Sequence, residues 1–368
     1  MQFDSLTLHA MICQLKAAVA PGRRVIRVFQ TSRLQTIVEL SGNPPSQMVL
    51  SCCPQSGRIH FDDGWAPDPS VNYPLGGVLR RWLRSAVLVD VAQRGFDRAV
   101  RLEFVNARAL GPQSRFYLIL EIMGRHSNII LVNDENKIID AIKHVDNEIS
   151  SIREVMPARP YILPPAQDKI SPADINVQSL LEKGAKTCNT AAERFLLKNI
   201  KGFSPLLCRE ICYLANIDGK KPIKDLSAQS LNRLENVLEN TIKRINTSDF
   251  EPCIAFEDEH FENPVDFHCI RLHQYKYVRT LPSISNVLNE FYFIKDSYER
   301  LKQRKSELMK VIHTNMDRCN RKLSLQQDKL REVADREKLR LYGELITANI
   351  YSIPRNAKSV ALLNYYSD

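Results

Sequence analysis

The sequence predicts an α+β protein built from more than one domain, and three observations carry that prediction. Its 368 residues exceed what one core organises, since single hydrophobic cores stop growing near about 250–300 residues. Between residues 24 and 142 the chain breaks into short β-branched and aromatic runs separated by turn residues, the texture of a sandwich or barrel. From 177 to 246, and again from 285, apolar residues recur at helical steps instead.

The first element is a helix over residues 4–19. Leu6, Leu8, Met11, Ile12, Leu15, Ala18 and Val19 recur at roughly helical spacing behind Asp4, which is placed as a cap or first-turn acid. Strands follow at "RVIRVFQ", "LQTIVEL", "QMVLSCC" and "RIHF"; one helix from Leu75 to Arg84 breaks the series. Then come "AVLVDVA", "AVRLEFV", "FYLILEIM", "NIILVN" and "KIIDAI". Two groups of four or five strands predict a β-sandwich with helices at its side. The proline-rich "MPARPYILPP", residues 156–165, can continue neither regular element and reads as the exit from a domain spanning 1–170.

A helical domain is expected over 171–248, with helices at "AAERFLLKNI", "SPLLCREICYLANI" and "LSAQSLNRLENVLENTIKRI". At the join "KGFSP", Gly202 can end one helix, Ser204 caps the next, and Pro205 takes its first turn, where no N–H is needed. This is a helix-turn-helix-like hairpin plus a third helix. Residues 249–284 read as a β-rich connector of two runs around an "EDEHFENP" turn. Over 285–345, Phe291, Ile294, Tyr298, Leu301, Leu308, Ile312 and Cys319 are spaced as a coiled-coil seam, with Lys305 and Asn315 at interrupting positions. This arm is crowded with Lys and Arg and has no return helix before "YGELITANIY", so 346–368 is expected to begin a tip region of a longer protein.

The formal net charge of +9 points to a polyanionic partner, nucleic acid or an anionic surface. No apolar run reaches membrane-spanning length, because Glu121 breaks the best one, "FYLILEIM". Asp4, His9, Gln14 and Lys16 interrupt any signal-peptide core, so a cytoplasmic protein without membrane partners is expected. Nine cysteines without a repeated spacing suit free thiols. Common nucleotide-binding and hydrolase motifs are absent from a chain with thirteen glycines, and no cofactor is expected. Cys253, His260, His268, Cys269 and His273 are the best metal candidates, yet their spacing matches no zinc knuckle, so no metal is expected. Cys208 and Cys212 share a helix face and read as small buried hydrophobes.

Two polar turns remain, "GFDRAVRLEF" at 95–104 and "EIMGRHSNIILVN" at 121–133. Asp97 and Arg98 are adjacent, so they point apart and cannot be a packing pair. One reading makes Asp97 a turn cap beside a solvated arginine. The other gives Arg98 a guanidinium for stacking on an unstacked base or pairing with phosphate, with Asp97 orienting it or accepting from a base edge. Arg125, His126, Ser127 and Asn128 add donors, or else supply hairpin chemistry with Gly124 at positive φ.

These turns occur in company. "FDSL", "VLRRWL", "FDRAVRLEF", "EIMGRHSNIILVN", "REVMPARPY", "IKGFSPLLCREI" and "LYGELITANIY" together resemble the NFACT family over essentially the whole chain. That family comprises ribosome-associated quality-control factors, also called fibronectin-binding protein A-like. The resemblance implies an N-terminal domain similar in fold to that of formamidopyrimidine-DNA glycosylases, then a helix-two-turns-helix module and a coiled-coil arm. It also implies a factor that binds a large ribosomal subunit obstructed by peptidyl-tRNA and recruits tRNA by its anticodon arm, alanyl-tRNA in bacterial members. A C-terminal tail is then added to the stalled chain, with peptide bonds made by the ribosome, so the factor is a scaffold rather than an enzyme. By position, Asp4, Asp97 and Arg98 are implied for tRNA engagement, with Glu121, Ile122 and Met123 beside them and Arg125, His126, Ser127 and Asn128 in the same turn. The chain departs from the family pattern at Ser5, at Leu75-Gly76-Gly77 and at Pro157-Ala158.

Two rival functions are disfavoured. A glycosylase of that fold attacks with an N-terminal proline amine beside a glutamate, whereas this chain starts Met1-Gln2-Phe3, so DNA is not an expected partner. A surface adhesin would need an export signal, which these residues do not supply.

Overall fold

A helix opens the structure where the apolar spacing puts it. In the computed structural model, which describes residues 3–20, 22–66, 73–106, 114–150, 153–165 and 168–366, with side chains for all of these except 296 and 298–303, helix α1 runs Ser5–Val19. Asp4 caps it, its Oδ1 accepting from the Thr7 amide at 2.8 Å. The chain forms two compact units, Met1–Lys295 and Asp296–Asp368.

In the first unit, nine strands form one antiparallel sheet: β1 (Arg23–Ser32), β2 (Gln35–Leu40), β3 (Gln47–Ser51), β4 (Arg58–Phe61), β5 (Val87–Gln93), β6 (Ala99–Asn106), β7 (Ser114–Glu121), β8 (Asn128–Asn133) and β9 (Ile138–Ala141). Their order is β4-β3-β2-β1-β5-β6-β7-β8-β9. Among the described residues the four-stranded and five-stranded leaves share a ladder of two pairs, Arg23 with Leu88 and Arg24 with Val87, continued by the Val25 amide on the Ala86 carbonyl, so the sheet can fold across that short seam. Val38, Leu40, Leu50 and Ile59 of one leaf and Val100, Leu102, Phe104 and Leu118 of the other then enter one core. Helix α1 and helix α2 (Pro74–Leu83) pack into the same core through Met11, Leu15, Leu79 and Leu83. The architecture is the α+β sandwich that alternating strands with flanking helices require.

The exit segment does more than leave. Val155 and Tyr161 cover the outer face of the second leaf, over Ile119, Ile130, Val132 and Ile138. Its turn is closed by the Ala158 amide on the Ile138 carbonyl at 2.8 Å, with Ala158 at φ 66°. Alanine pays about 1 kcal/mol for a backbone there that glycine adopts freely, so the turn survives the departure at this position under mild strain.

Four helices follow, α3 (Val177–Thr187), α4 (Ala192–Asn199), α5 (Pro205–Leu214) and α6 (Ala228–Asn246). The join behaves as its chemistry demands: Ser204 Oγ accepts from the Leu207 amide at 3.3 Å, and Pro205 begins α5. Gly202 adopts φ 87°, and a Cβ there would lie 3.2 Å from Phe96, so glycine is needed both for the backbone and for close docking of this join on the 95–98 turn.

Strands β10 (Cys253–Phe256), β11 (Pro264–His268) and β12 (Tyr277–Thr280) form a second sheet in the order β11-β10-β12. The third of these was not expected from sequence, because "YVRT" is short, only partly buried, and held by pairing with β10. Helix α7 runs Ile284–Ala348. Its first turns belong to the core of the first unit: Ile284, Val287, Leu288, Phe291 and Tyr292 are buried there, with the Phe291 and Phe267 rings 4.7 Å apart. Phe291 is therefore a core residue of that unit and not part of an arm seam. In the second unit, taken alone, Leu308, Ile312 and Cys319 are exposed, while the side chains of Tyr298 and Leu301 lie outside those described. Among the described residues no helix is long and apolar enough to cross a membrane, and the nine cysteines are unbridged.

Candidate nucleic-acid interface

The pairing of β6 with β7 brings the two polar turns together. Ala99 faces Glu121 across the ladder, and one step beyond it the Ile122 amide donates to the Arg98 carbonyl at 2.8 Å. The first turn is closed by the Asp97 amide on the Arg94 carbonyl at 3.1 Å, with Gly95 at φ 54°. Gln93 ties it to the start of α1, its Nε2 donating to the carbonyls of Asp97 at 2.9 Å and Ser5 at 3.0 Å.

Adjacent charges here serve different neighbours. Asp97 Oδ2 pairs with Lys201 Nζ at 3.2 Å. The half-buried guanidinium of Arg98 is pushed down by burial, and the Asp4 carboxylate opposes that shift. Both residues line two cavities. One, of about 310 Å3, also has Asp4, Lys169, Phe203 and Ser204 in its wall. The other, of about 430 Å3, has Arg94, Met123, Pro164 and Lys201. Four cations, Arg94, Arg98, Lys169 and Lys201, thus outnumber the carboxylates of Asp4 and Asp97. Fixed guanidinium and ammonium groups beside apolar walls suit phosphates and unstacked bases.

Asp4 is held from both sides. Burial would push its carboxyl up, but the His268 imidazole at 3.1 Å, the Ser204 hydroxyl and the Thr7 amide outweigh it and keep the group at about 2. A carboxyl depressed in the fold contributes stability above its unfolded value of about 4 and loses it as the pH falls through about 2. Between about pH 5 and 2 protonation of this group is therefore expected to take about 2 kcal/mol from the unfolding free energy of the wild type, measured by urea titration at each pH.

The second turn divides. Met123 lines the larger of the two cavities, and Gly124 takes φ 62°, opening the turn Gly124–His126. Arg125 and His126 are exposed, with Arg125 Nε donating to His126 Nε2 at 3.0 Å, but neither lines the two cavities. Four residues implied as binding groups are buried and spent on the fold. Ser127 Oγ accepts from the Met123 amide at 2.8 Å. Asn128 accepts from the amides of Ile129 and Lys143 at 3.0 Å and donates to the Lys143 carbonyl at 2.8 Å, which is hairpin chemistry. Ile122 sits in the main core. Glu121 has no exposed surface; Arg153 grips both its oxygens, and Tyr161 donates to Oε1 at 2.7 Å. Burial and this carboxylate push the Tyr161 phenol up. Glu121 is thus a structural ion, because a carboxylate without water is tolerated only when paired.

Lys169, Lys201, Ser204 and His268 were not read from the sequence as parts of this place. The only signal was the "KGFSP" join, whose glycine implies a close approach without naming what it approaches. His268, a metal candidate by sequence, serves Asp4 instead, while His273 Nδ1 faces Glu210 at 2.9 Å and His260 is exposed. Among the described residues no three such groups are placed to hold a metal ion.

Residues 4–368 match the family described as NFACT N-terminal and middle domains. The chain belongs to the NFACT family. The NFACT chain is 27% identical over 372 residues to the Rqc2 homolog RqcH of Bacillus subtilis (strain 168), and 27% identical over 370 residues to that of Streptococcus suis (strain 05ZYH33). In both cases all of this chain aligns with 62% of the relative, so it spans about three fifths of their length. Among solved structures, the fibrinogen binding protein from Staphylococcus aureus is similar with a TM-score of 0.64 and 25% identity, covering 79% of this chain and 99% of that one.

Proposed function

We propose that this NFACT protein is a cytoplasmic ribosome quality-control factor. It engages a large ribosomal subunit obstructed by peptidyl-tRNA, holds a tRNA by its anticodon arm, and so supports addition of a C-terminal tail that marks the stalled chain for degradation. The observation that supports this most is the convergence of Asp4, Asp97, Arg98 and Met123 with Lys169 and Lys201 around two open cavities. An anticodon arm presents phosphates and splayed bases together, for which cations supply salt-sensitive affinity and side-chain planes and edges supply discrimination.

In this reading the ribosome makes the peptide bonds, and the protein selects and positions tRNA, alanyl-tRNA in a bacterium. The residues divide into 1–170 and 171–248, which meet around the tRNA site, a connector over 249–284, a basic arm over 285–345 whose first turns, through Tyr292, are anchored in the core and whose remainder docks on ribosomal RNA or protein, and a tip beginning at 346. Sequencing the RNA that co-purifies with the complete gene product tests it. Enrichment of tRNA with large-subunit RNA is expected, and an RNA-free preparation that still supports tailing overturns it. A second reading, fibrinogen binding, is favoured by the name of the similar Staphylococcus aureus protein. Retention on immobilised fibrinogen, undiminished by Arg98→Ala, would support that reading.

A further inference from the structure

His9 and Cys13 on α1 and Gln93 at the end of β5 form a polar cluster of which the tRNA reading uses just the Gln93 N–H groups that brace the 94–98 turn. The Gln93 amide fixes the orientation of the whole cluster. Both its N–H groups are spent on carbonyls, those of Ser5 and Asp97, so its nitrogen and oxygen cannot be exchanged. Oε1 therefore faces His9 Nδ1, at 3.2 Å. A carbonyl oxygen only accepts, so Nδ1 carries the proton and Nε2 of the neutral ring carries the lone pair. That lone pair lies 3.9 Å from Cys13 Sγ. The ring is held in place by Phe96, with centroids 4.9 Å apart, and by the edge contact with Phe250 at 6.3 Å.

Thiol, imidazole and an orienting amide in this order are what activates a nucleophilic cysteine. We propose that Cys13, with His9 as its base and Gln93 as the positioning residue, is a reactive thiolate that undergoes exchange with low-molecular-weight disulfides. The sulfur attacks one sulfur of the disulfide, whose S–S bond breaks as the Cys13 mixed disulfide forms. The released thiolate takes the proton that His9 accepted from Cys13. Sulfur oxidation states balance without a further oxidant.

The surroundings favour charge separation at this pair. The Cys13 thiol is lowered, chiefly by the hydrogen bond with His9 against its burial, with Ser248 and Lys16 adding to the effect. His9 is raised, chiefly by Cys13, against burial and Lys16. Burial instead pushes Cys52 and Cys253 up to about 11 and Cys212 up to about 12. Cys269 lies 4.0 Å from His268 Nδ1 but is sealed in the core. Cys188 is lowered as well, chiefly by its hydrogen bond with Thr190, and Cys53 meets Gln55, but neither partner is a base.

Brief exposure of the native protein to dipyridyl disulfide, followed by release of thiopyridone and mass mapping of the adduct, tests the assignment. One thiol of the nine is expected to react at least about tenfold faster than the rest, and the adduct to map to Cys13. Cys13→Ser removes that phase. His9→Gln slows it about tenfold near neutral pH and moves the midpoint of its pH profile upward, and Gln93→Leu does the same more weakly. Mapping of the first adduct to Cys53, Cys188 or Cys319 overturns the proposal, as does an unchanged rate and pH profile in a His9→Gln protein with native circular dichroism. Because the mapping uses wild-type protein, it decides even if a variant misfolds.

Discussion

Glu121→Ala is expected to destabilise the first unit by about 3–5 kcal/mol, the cost of breaking a buried ion pair from one side. Glu121 has no exposed surface. Its carboxylate is the acceptor for the Arg153 guanidinium and the Tyr161 hydroxyl, and so pins the exit segment to the end of β7. Truncation leaves a largely buried guanidinium with the Ile162 carbonyl but no counter-charge, and a phenol without its acceptor. Glu121→Gln keeps an acceptor for Tyr161 and should cost roughly half as much. Adding Arg153→Met to Glu121→Ala removes the stranded charge, so the double variant should be more stable than Glu121→Ala alone. Urea unfolding followed by circular dichroism measures all three. If Glu121→Ala unfolds with the wild type yet loses RNA affinity, the residue is a ligand contact after all.

Arg98→Ala should leave the protein folded, with native circular dichroism, and weaken tRNA binding by about tenfold to a hundredfold, the usual range for one base or charge-assisted contact. The Arg98 carbonyl, which holds the Ile122 amide, survives the substitution. The part lost is the guanidinium in the wall of both cavities. The slope of log affinity against log salt should become shallower by about one if the contact is to phosphate. Arg98→Lys should not restore affinity, because an ammonium lacks the planar fork. Fluorescence anisotropy with labelled tRNA at several salt concentrations reads all of this. Wild-type affinity in Arg98→Ala would sink the proposed site.

Much of the architecture was legible because strands and helices encode their buried faces locally. "AVRLEFV" buries Val100, Leu102 and Phe104 on alternate positions, as a strand against one core must. The "KGFSP" join was legible for the same reason, since a cap and a first-turn proline act within a few residues. Strand β12 was not, because its four residues carry almost no pattern and depend on β10. Of the implied binding residues, Asp4, Asp97, Arg98 and Met123 converge on the two cavities, and Glu121, Ile122, Ser127 and Asn128 are taken by the fold.

Local order and family membership were thus written in the chain itself. The fate of each polar side chain was settled only by packing. Glu121 meets Arg153 and Tyr161 across 32 and 40 residues, and Asp4 meets His268 across 264. Periodicity reports that a face will be covered, but what covers it comes from distant segments, and for a charged group that neighbour decides whether it binds a partner or holds the fold.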